Sequence, residues 1–326
     1  MDSLPMDNSE NQNQLLEEKK TKSDSSNNLP EDIVQSIFTF LPIKNAIVTA
    51  STVSRRYKRS WRHNRKFLFG RDFYLQYRLL GMTSIVDHLF NCHKGNEIKT
   101  FKLHIDPIGI EGLINRWLQI CIQKDIEDLE LHLYRFGFTV EFCVFNTLHK
   151  LKTLKLIQCV IQLPEVPIGL QFLQTLSLCN IHVSENMIDM LIGHCKMLNS
   201  VDLICCFTIK KLNLIARENK HFEKLRIIGC RDLENIEINS PTLRSIFYHG
   251  KFLTIRIVQG MQLYEALFQF TPSKNYMWCA ELEALVKELY HVSILTTTPQ
   301  LIEVYIFILL WSVFSSLLFY LILYKL

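Results

Sequence analysis

Ten cysteines and eleven histidines are the residues of this chain best suited to metal, redox or nucleophilic chemistry. Their spacing argues against all three. Zinc and dithiol sites set two cysteines about two to four residues apart so that both sulfurs converge from one turn. No Cys-x-x-Cys pair occurs, and the histidines are scattered without ligand spacing. The carboxylates Glu127, Asp128 and Glu130 are close neighbours, but they flank a strand pattern and read as solvated. There is no G-x-S-x-G, no H-E-x-x-H and no glycine loop for phosphate; with 11 glycines such loops are scarce in any case. No catalytic residue, metal site or cofactor is therefore expected. An enzyme stays as the weaker alternative, since a fold does not exclude activity.

Charge gives a second candidate. Arg55 to Lys66 reads RRYKRSWRHNRK, seven Lys or Arg in twelve residues, in a chain whose net charge is +4. Nuclear import or nucleic-acid contact is one reading. A solvated face is the usual fate of such a run, and the small overall excess does not mark a nucleic-acid protein.

The elements that would position any site divide the chain. Residues 1–28 are polar and too poor in apolar side chains to offset ordering, so a disordered tail is expected. The N-terminus carries no apolar signal core, and the cysteines read as reduced thiols of the cytosol or nucleus. Ile33, Val34, Ile37, Phe38 and Leu41 recur at helical spacing, opened by Leu29-Pro30 and stopped by Pro42. A second helix is expected from about Lys44 to the Ala50 region, and a third from near Val53 to Trp61. Three short helices make a unit too small to bury its own apolar side. Residues 67–97 read as a helical linker.

From Ile98 the template L-x-x-L-x-L repeats. Its middle residues fall at 101, 129, 154, 176, 201, 225, 236 and 246, in steps of 28, 25, 22, 25, 24, 11 and 10. The first five steps suit a leucine-rich-repeat solenoid over 98–260; the last two are too short for a full repeat and predict an irregular end, continued over 261–303. Apolar stripes at Ile114, Trp117, Leu118, Cys121, Ile122 and at Met187, Ile188, Leu191, Ile192 predict covering helices between strands. Cys159, Cys206 and Cys230 each fall three residues after a template's last apolar position, the buried Asn/Cys site of such repeats. The fold class is thus α/β: a small all-helical unit, a repeat solenoid and a C-terminal hydrophobic helix. That helix is expected at 304–324, where VYIFILLWSVFSSLLFYLILY carries no charge. At 1.5 Å per residue it would reach about 32 Å, enough for a bilayer core.

The stretch LPEDIVQSIFTFLPIKNAIVTASTVSRRYKRSW, residues 29–61, resembles an F-box: two Leu-Pro steps, the Ile/Phe helix, Ala46, and Val53-Ser54-Arg55-Arg56 with Trp61. We place that unit at 29–66. Arg116-Trp117, LKTLKLIQC at 151–159, GHCKML at 193–198 and IEINSPTLRSIFYHG at 236–250 resemble the plant type of F-box/leucine-rich-repeat protein. The resemblance implies binding of a Skp-type adaptor and a cullin scaffold, with the repeats presenting an unknown protein target for ubiquitin transfer in the cytoplasm or nucleus. The residues expected to meet the Skp-type partner are Leu29, Pro30, Ile33, Ile37, Leu41 and Pro42. Those expected to meet the target from the concave face are Lys155, Ser177, Asp202, Arg226 and Glu237. The tail departs from the family pattern; read as a membrane anchor, it gives the alternative of a membrane-tethered repeat protein without a ligase role.

Overall fold

The structure, a computed structural model, describes residues 30–53, 57–162, 168–258, 263–271, 279–289 and 291–298, with Ile302 and Ile306. Helix α1 (Glu31–Phe40) follows Pro30, whose φ of −54° suits a helix start, and ends before Pro42. Val34 and Phe38, one turn apart, turn inward and meet Ala46 and Ala50 of α2 (Ile43–Val53) together with Tyr57. Of the third helix expected from Val53 to Trp61, residues 54–56 lie outside the described residues; the described part holds a four-residue 3-10 turn, Ser60–His63.

The stretch read as a helical linker opens with a strand, β1 (Lys66–Phe69), before the helix α3 (Arg71–Cys92), which bends at Arg78 (φ 54°). β1 pairs in parallel with β2 (Thr100–Ile105), so the sheet begins earlier than the leucine pattern indicates. Phe67 and Phe69 fill the later template positions, but Asn64 stands where the template has its first leucine, which hides this copy.

Beyond β2 come α4 (Glu111–Gln123), β3 (Asp128–Leu133), β4 (Thr139–Val140), α5 (Phe142–Thr147), β5 (Thr153–Ile157), β6 (Val160–Ile161), β7 (Thr175–Cys179), α6 (Glu185–His194) and β8 (Ser200–Ile204). The remaining elements are β9 (Lys211–Ile215), β10 (Lys224–Ile228), β11 (Asn235–Asn239), β12 (Ser245–Gly250), β13 (Thr254–Ile257), β14 (Glu265–Phe270), α7 (Cys279–Glu288) and β15 (Ile294–Thr297). One ten-stranded sheet runs β1-β2-β3-β5-β7-β8-β10-β12-β14-β15, every pairing parallel. Register places Phe101, Leu129, Leu154, Leu176, Val201, Leu225 and Ile246 in one buried row. Each such side chain contributes about 1.5–3 kcal/mol by leaving water, and only through its neighbours in adjoining repeats. Ile114, Trp117, Leu118 and Cys121 of α4, and Met187, Ile188, Leu191 and Ile192 of α6, cover the same core, as their spacing predicts.

The end expected to be irregular is ordered differently. β9, β11 and β13 form a separate three-stranded parallel sheet in the order β13-β11-β9. The chain alternates between the two sheets, which halves the apparent step. Within the main sheet the positions 201, 225, 246 and 266 keep full repeats.

A left-handed residue closes successive strands: Gln158 (φ 62°), Asn180 (54°), Cys205 (50°) and Gly229 (65°). Its amide donates to the next strand's last carbonyl, for example Asn180 N to Ile204 O at 2.8 Å and Cys205 N to Ile228 O at 2.7 Å. The tail 1–28 and Leu29 lie outside the described residues, as does the hydrophobic segment 304–324 apart from Ile306. Among the described residues no helix is long and apolar enough to cross a membrane.

Candidate functional site

Two surfaces present side chains suited to a partner. The first is on α1. Helical spacing that buries Val34 and Phe38 turns Ile33 and Ile37 outward, 46% and 48% exposed. Phe40, one further turn along, is 70% exposed and escaped the sequence reading, although its i+7 relation to Ile33 was visible. Pro30 is exposed, while Leu41 and Pro42 are half-buried and Leu41 packs on the small helical core. A cleft of about 560 Å³ opens beside Phe40, bounded by Asp32, Gln35, Arg65 and Glu97.

This unit is fastened to the repeats. Ile43 belongs to the main core with Phe67, and Trp61 packs on both cores. Lys44 Nζ donates to Gln76 Oε1 of α3 at 2.9 Å. At the joint, buried Asn64 Nδ2 donates to Phe38 O (2.6 Å), which also accepts from Leu41 N at 3.3 Å, and to Leu41 O (2.7 Å) just beyond the end of α1. Its Oδ1 accepts from Lys66 N at 2.6 Å, where β1 begins. His93 Nε2 donates to Asn64 O at 2.9 Å. Burial, reinforced by nearby Lys124, lowers the His93 pKa to about 4, so the ring is neutral near pH 7. No local sequence signal marks Asn64, because its partners lie up to 26 residues away.

Two cations of the basic run are accounted for locally. Arg62 lies over the Trp61 ring at 5.9 Å, and Arg65 pairs with Glu97 at 3.4 Å. Arg55 and Arg56 lie outside the described residues.

The second surface is the solvent-facing side of the main sheet. Register aligns Lys102, Glu130, Lys155, Ser177, Asp202 and Arg226 in one row across β2, β3, β5, β7, β8 and β10. Four of the five residues expected to meet a target therefore stand side by side. Ser177 is only 6% exposed, screened within that row. Glu237 is elsewhere: it sits on β11, between Asn213 and Arg256 in the separate sheet, because the 11-residue step to its template copy is a change of sheet.

Lys102 and Glu130 were missed as site residues, although they occupy the same template position as Lys155. Glu130, read as solvated, is half-buried: its Oε1 accepts from Lys102 Nζ and His104 Nε2, each at 2.9 Å, with Lys155 Nζ at 3.7 Å. Burial alone would raise its pKa, but His104, Lys102 and Lys155 outweigh it and hold the carboxyl at about 2. Glu127 is likewise held between Lys99 and Lys152. Asp202 pairs with Arg226 at 2.8 Å.

The cysteines have structural surroundings. Cys159, Cys206 and Cys230 are buried at the strand exits. The Cys206 thiol donates to Leu178 O at 3.4 Å and Cys230 to Leu203 O at 3.6 Å, each reaching back one repeat. Burial pushes the Cys159 and Cys195 thiols up to about 12, which removes thiolate chemistry near neutral pH. Among the described residues no group of three or more His, Cys, Asp or Glu could hold a metal ion.

This repeated architecture agrees with comparison to known proteins. Residues 89–306 match the family described as "At1g61320/AtMIF1, LRR domain", and residues 26–69 match the F-box domain. The chain belongs to the At1g61320/AtMIF1 leucine-rich-repeat family. It is a plant F-box/leucine-rich-repeat protein. Within this family's kin in Arabidopsis thaliana it is 28% identical over 294 residues to FBD-associated F-box protein At1g61320, covering 89% of this chain and 64% of that one. It is 29% identical over 279 residues to putative FBD-associated F-box protein At1g61330, covering 84% and 62%. With F-box/FBD/LRR-repeat protein At1g13570 it shares 26% over 267 residues, covering 78% and 58%. The chain thus spans less than two thirds of the length of these curated relatives. No solved structure matches it.

Proposed function

We propose that this chain is a substrate-recognition adaptor of an SCF-type E3 ubiquitin ligase, without chemistry of its own. Ile33, Ile37 and Phe40 dock a Skp-type adaptor, flanked by Leu29, Pro30, Leu41 and Pro42, and through it the cullin scaffold. The face bearing Lys155, Asp202 and Arg226 holds a protein target in the cytosol or nucleus. Its work is proximity: a tethered target meets the ubiquitin-carrying subunit at high effective concentration, so the encounter becomes nearly intramolecular.

The observation that carries this reading is the α1 face, with apolar side chains exposed one turn apart while the opposite face is committed to the core. An isolated apolar patch of that kind marks a protein contact. Replacing Ile33 and Ile37 by Asp should abolish co-purification of a plant Skp-type adaptor with the full chain. The thermal transition should be unchanged, because neither side chain is buried. Normal capture by that variant refutes the adaptor reading.

A further inference from the structure

Glu127, just before β3, and Glu130, within it, each lie between two lysines, one from the β2 side and one from the β5 side. Lys99 and Lys152 take the two oxygens of Glu127, while Lys102 and Lys155 converge on Glu130 Oε1. The Lys102–Glu130–Lys155 triad carries one net positive charge; in the other, Lys99 is shared with Glu97, which also pairs with Arg65. On β10 Lys224 is exposed, and Arg226 balances Asp202. With Asp128 and Glu265 on the strands counted, and Arg65 with Glu97 beside Lys99, cations outnumber carboxylates by one among these residues. The pairing also sets which sign has capacity left. An ammonium carries three N–H donors; Lys102, Lys152 and Lys155 each meet a single carboxylate and keep donors free, Lys99 is shared by Glu97 and Glu127, and Glu127 and Glu130 are each neutralised by two lysines. An incoming anion meets those free donors; a cation approaching Glu127 or Glu130 must displace an internal lysine.

Directly beside the charged row, two residues on and therefore on the same face, lie Ile157, Cys179, Ile204 and Ile228. They form a half-buried apolar row of three isoleucines and one cysteine. From β2 to β10 there are five strand spacings, which at about 4.8 Å make about 24 Å, the reach of about seven extended residues.

We propose that this face binds an extended acidic segment of a target protein whose aliphatic side chains lie along the Ile157–Ile228 row while its carboxylates meet Lys102 and Lys155. The inference rests on the adaptor reading above and names the class of target. The full chain is titrated with a fluorescein-labelled peptide of about 14 residues alternating Glu with Leu or Ile, and with its Gln counterpart, a length set by twice the span of the face. The Glu peptide should bind at least about tenfold more tightly, and its affinity should fall as salt rises from roughly 50 to roughly 300 mM. The double variant Lys102→Glu/Lys155→Glu should lose that preference, and Ile204→Gln should weaken both peptides. Arg256→Glu, on the separate sheet, should change neither. If charge reversal disturbs folding, Lys102→Gln/Lys155→Gln removes the charges while keeping polar side chains and decides the same point. Equal affinity for the two peptides, a preference for a Lys-containing peptide, or preference surviving both lysine doubles overturns the proposal. Skp-type adaptor capture is measured on the same samples: intact capture with no Glu preference sinks the acidic-target inference alone, whereas absent capture by the unsubstituted chain sinks the adaptor reading.

Discussion

Repeats from β2 to β8 and repeats from β8 to β14 build the same sheet by different return paths. In the first region the chain comes back through helices such as α4 and α6; in the second it comes back through the strands β9, β11 and β13. Length explains the change. The ten-residue helix α6 advances about 15 Å, and the five-residue strand β11 advances about 17 Å. A strand covers the distance with half the residues, so repeats of 21 and 20 residues close where those of 28 and 25 hold a helix. Composition agrees: NIEIN and TIRI alternate with period two, while EGLINRWLQICIQ places its apolar residues on one helical stripe.

The contrast should appear in stability. Trp117 of α4 is fully buried, its Nε1 donates to Asp87 Oδ1 at 3.1 Å, and its ring stacks on Phe90 at 6.2 Å. Trp117→Ala should cost about 3–5 kcal/mol in denaturant unfolding. Ile236→Ala, in the strand-backed region, should cost about 2–4 kcal/mol and raise hydrogen exchange in β9, β11 and β13 before β2 and β3. If the two substitutions loosen every strand equally, the regions are one cooperative unit and the difference in backing has no energetic consequence.

The joint at the N-terminal end sharpens the comparison through pH. His93 is neutral in the fold, with a pKa of about 4 against an ordinary value of 6.5. A depressed histidine contributes stability that is full above pH 6.5 and is lost as pH falls towards 4, because only the unfolded chain takes up the proton in that window. The loss should be of order 1–3 kcal/mol. His93→Gln should flatten the pH 4–6.5 part of the profile; an unchanged slope would show that the ring is protonated in the fold. Asn64→Ala removes the side-chain partner of Leu41 O and Lys66 N and leaves Phe38 O with the longer Leu41 N–H bond, and should cost about 2 kcal/mol with faster exchange along α1.

Much of this was legible in the sequence, because a repeat writes its core at fixed intervals. Leu129, Leu154, Leu176 and Leu225 could be placed from spacing alone, and so could the stripe of α4. Glu237 could not. Its template copy is as good as that of Arg226, and only pairing tells which sheet a strand joins. The copy Ile209-Leu212-Leu214 carried the missing signal: with it the steps after Val201 read 11 and 13, the mark of two strands per repeat. Asn64 illustrates the other limit, since a side chain whose partners are long-range leaves no period.

The smallest effect tests a feature the two regions share, the left-handed turn at the exits of β5, β7, β8 and β10. At Gly229 an added Cβ would stand 3.1 Å from Cys205 Sγ and would also occupy φ 65°. Gly229→Ala should therefore cost about 1–2 kcal/mol, part steric and part conformational. Cys205 holds φ 50° with a side chain, so Cys205→Gly should be neutral or stabilise by up to about 0.5 kcal/mol, relief of the left-handed strain being offset by a freer unfolded chain. In the double variant the Cys205 sulfur is gone, so the steric part vanishes and only the dihedral cost of the Gly229→Ala change remains. Non-additivity of about 0.5–1 kcal/mol in that cycle, read by chemical denaturation, measures the contact between adjacent turns. Strict additivity would mean that the thiol swings away freely and that the turns are held by their backbone hydrogen bonds alone.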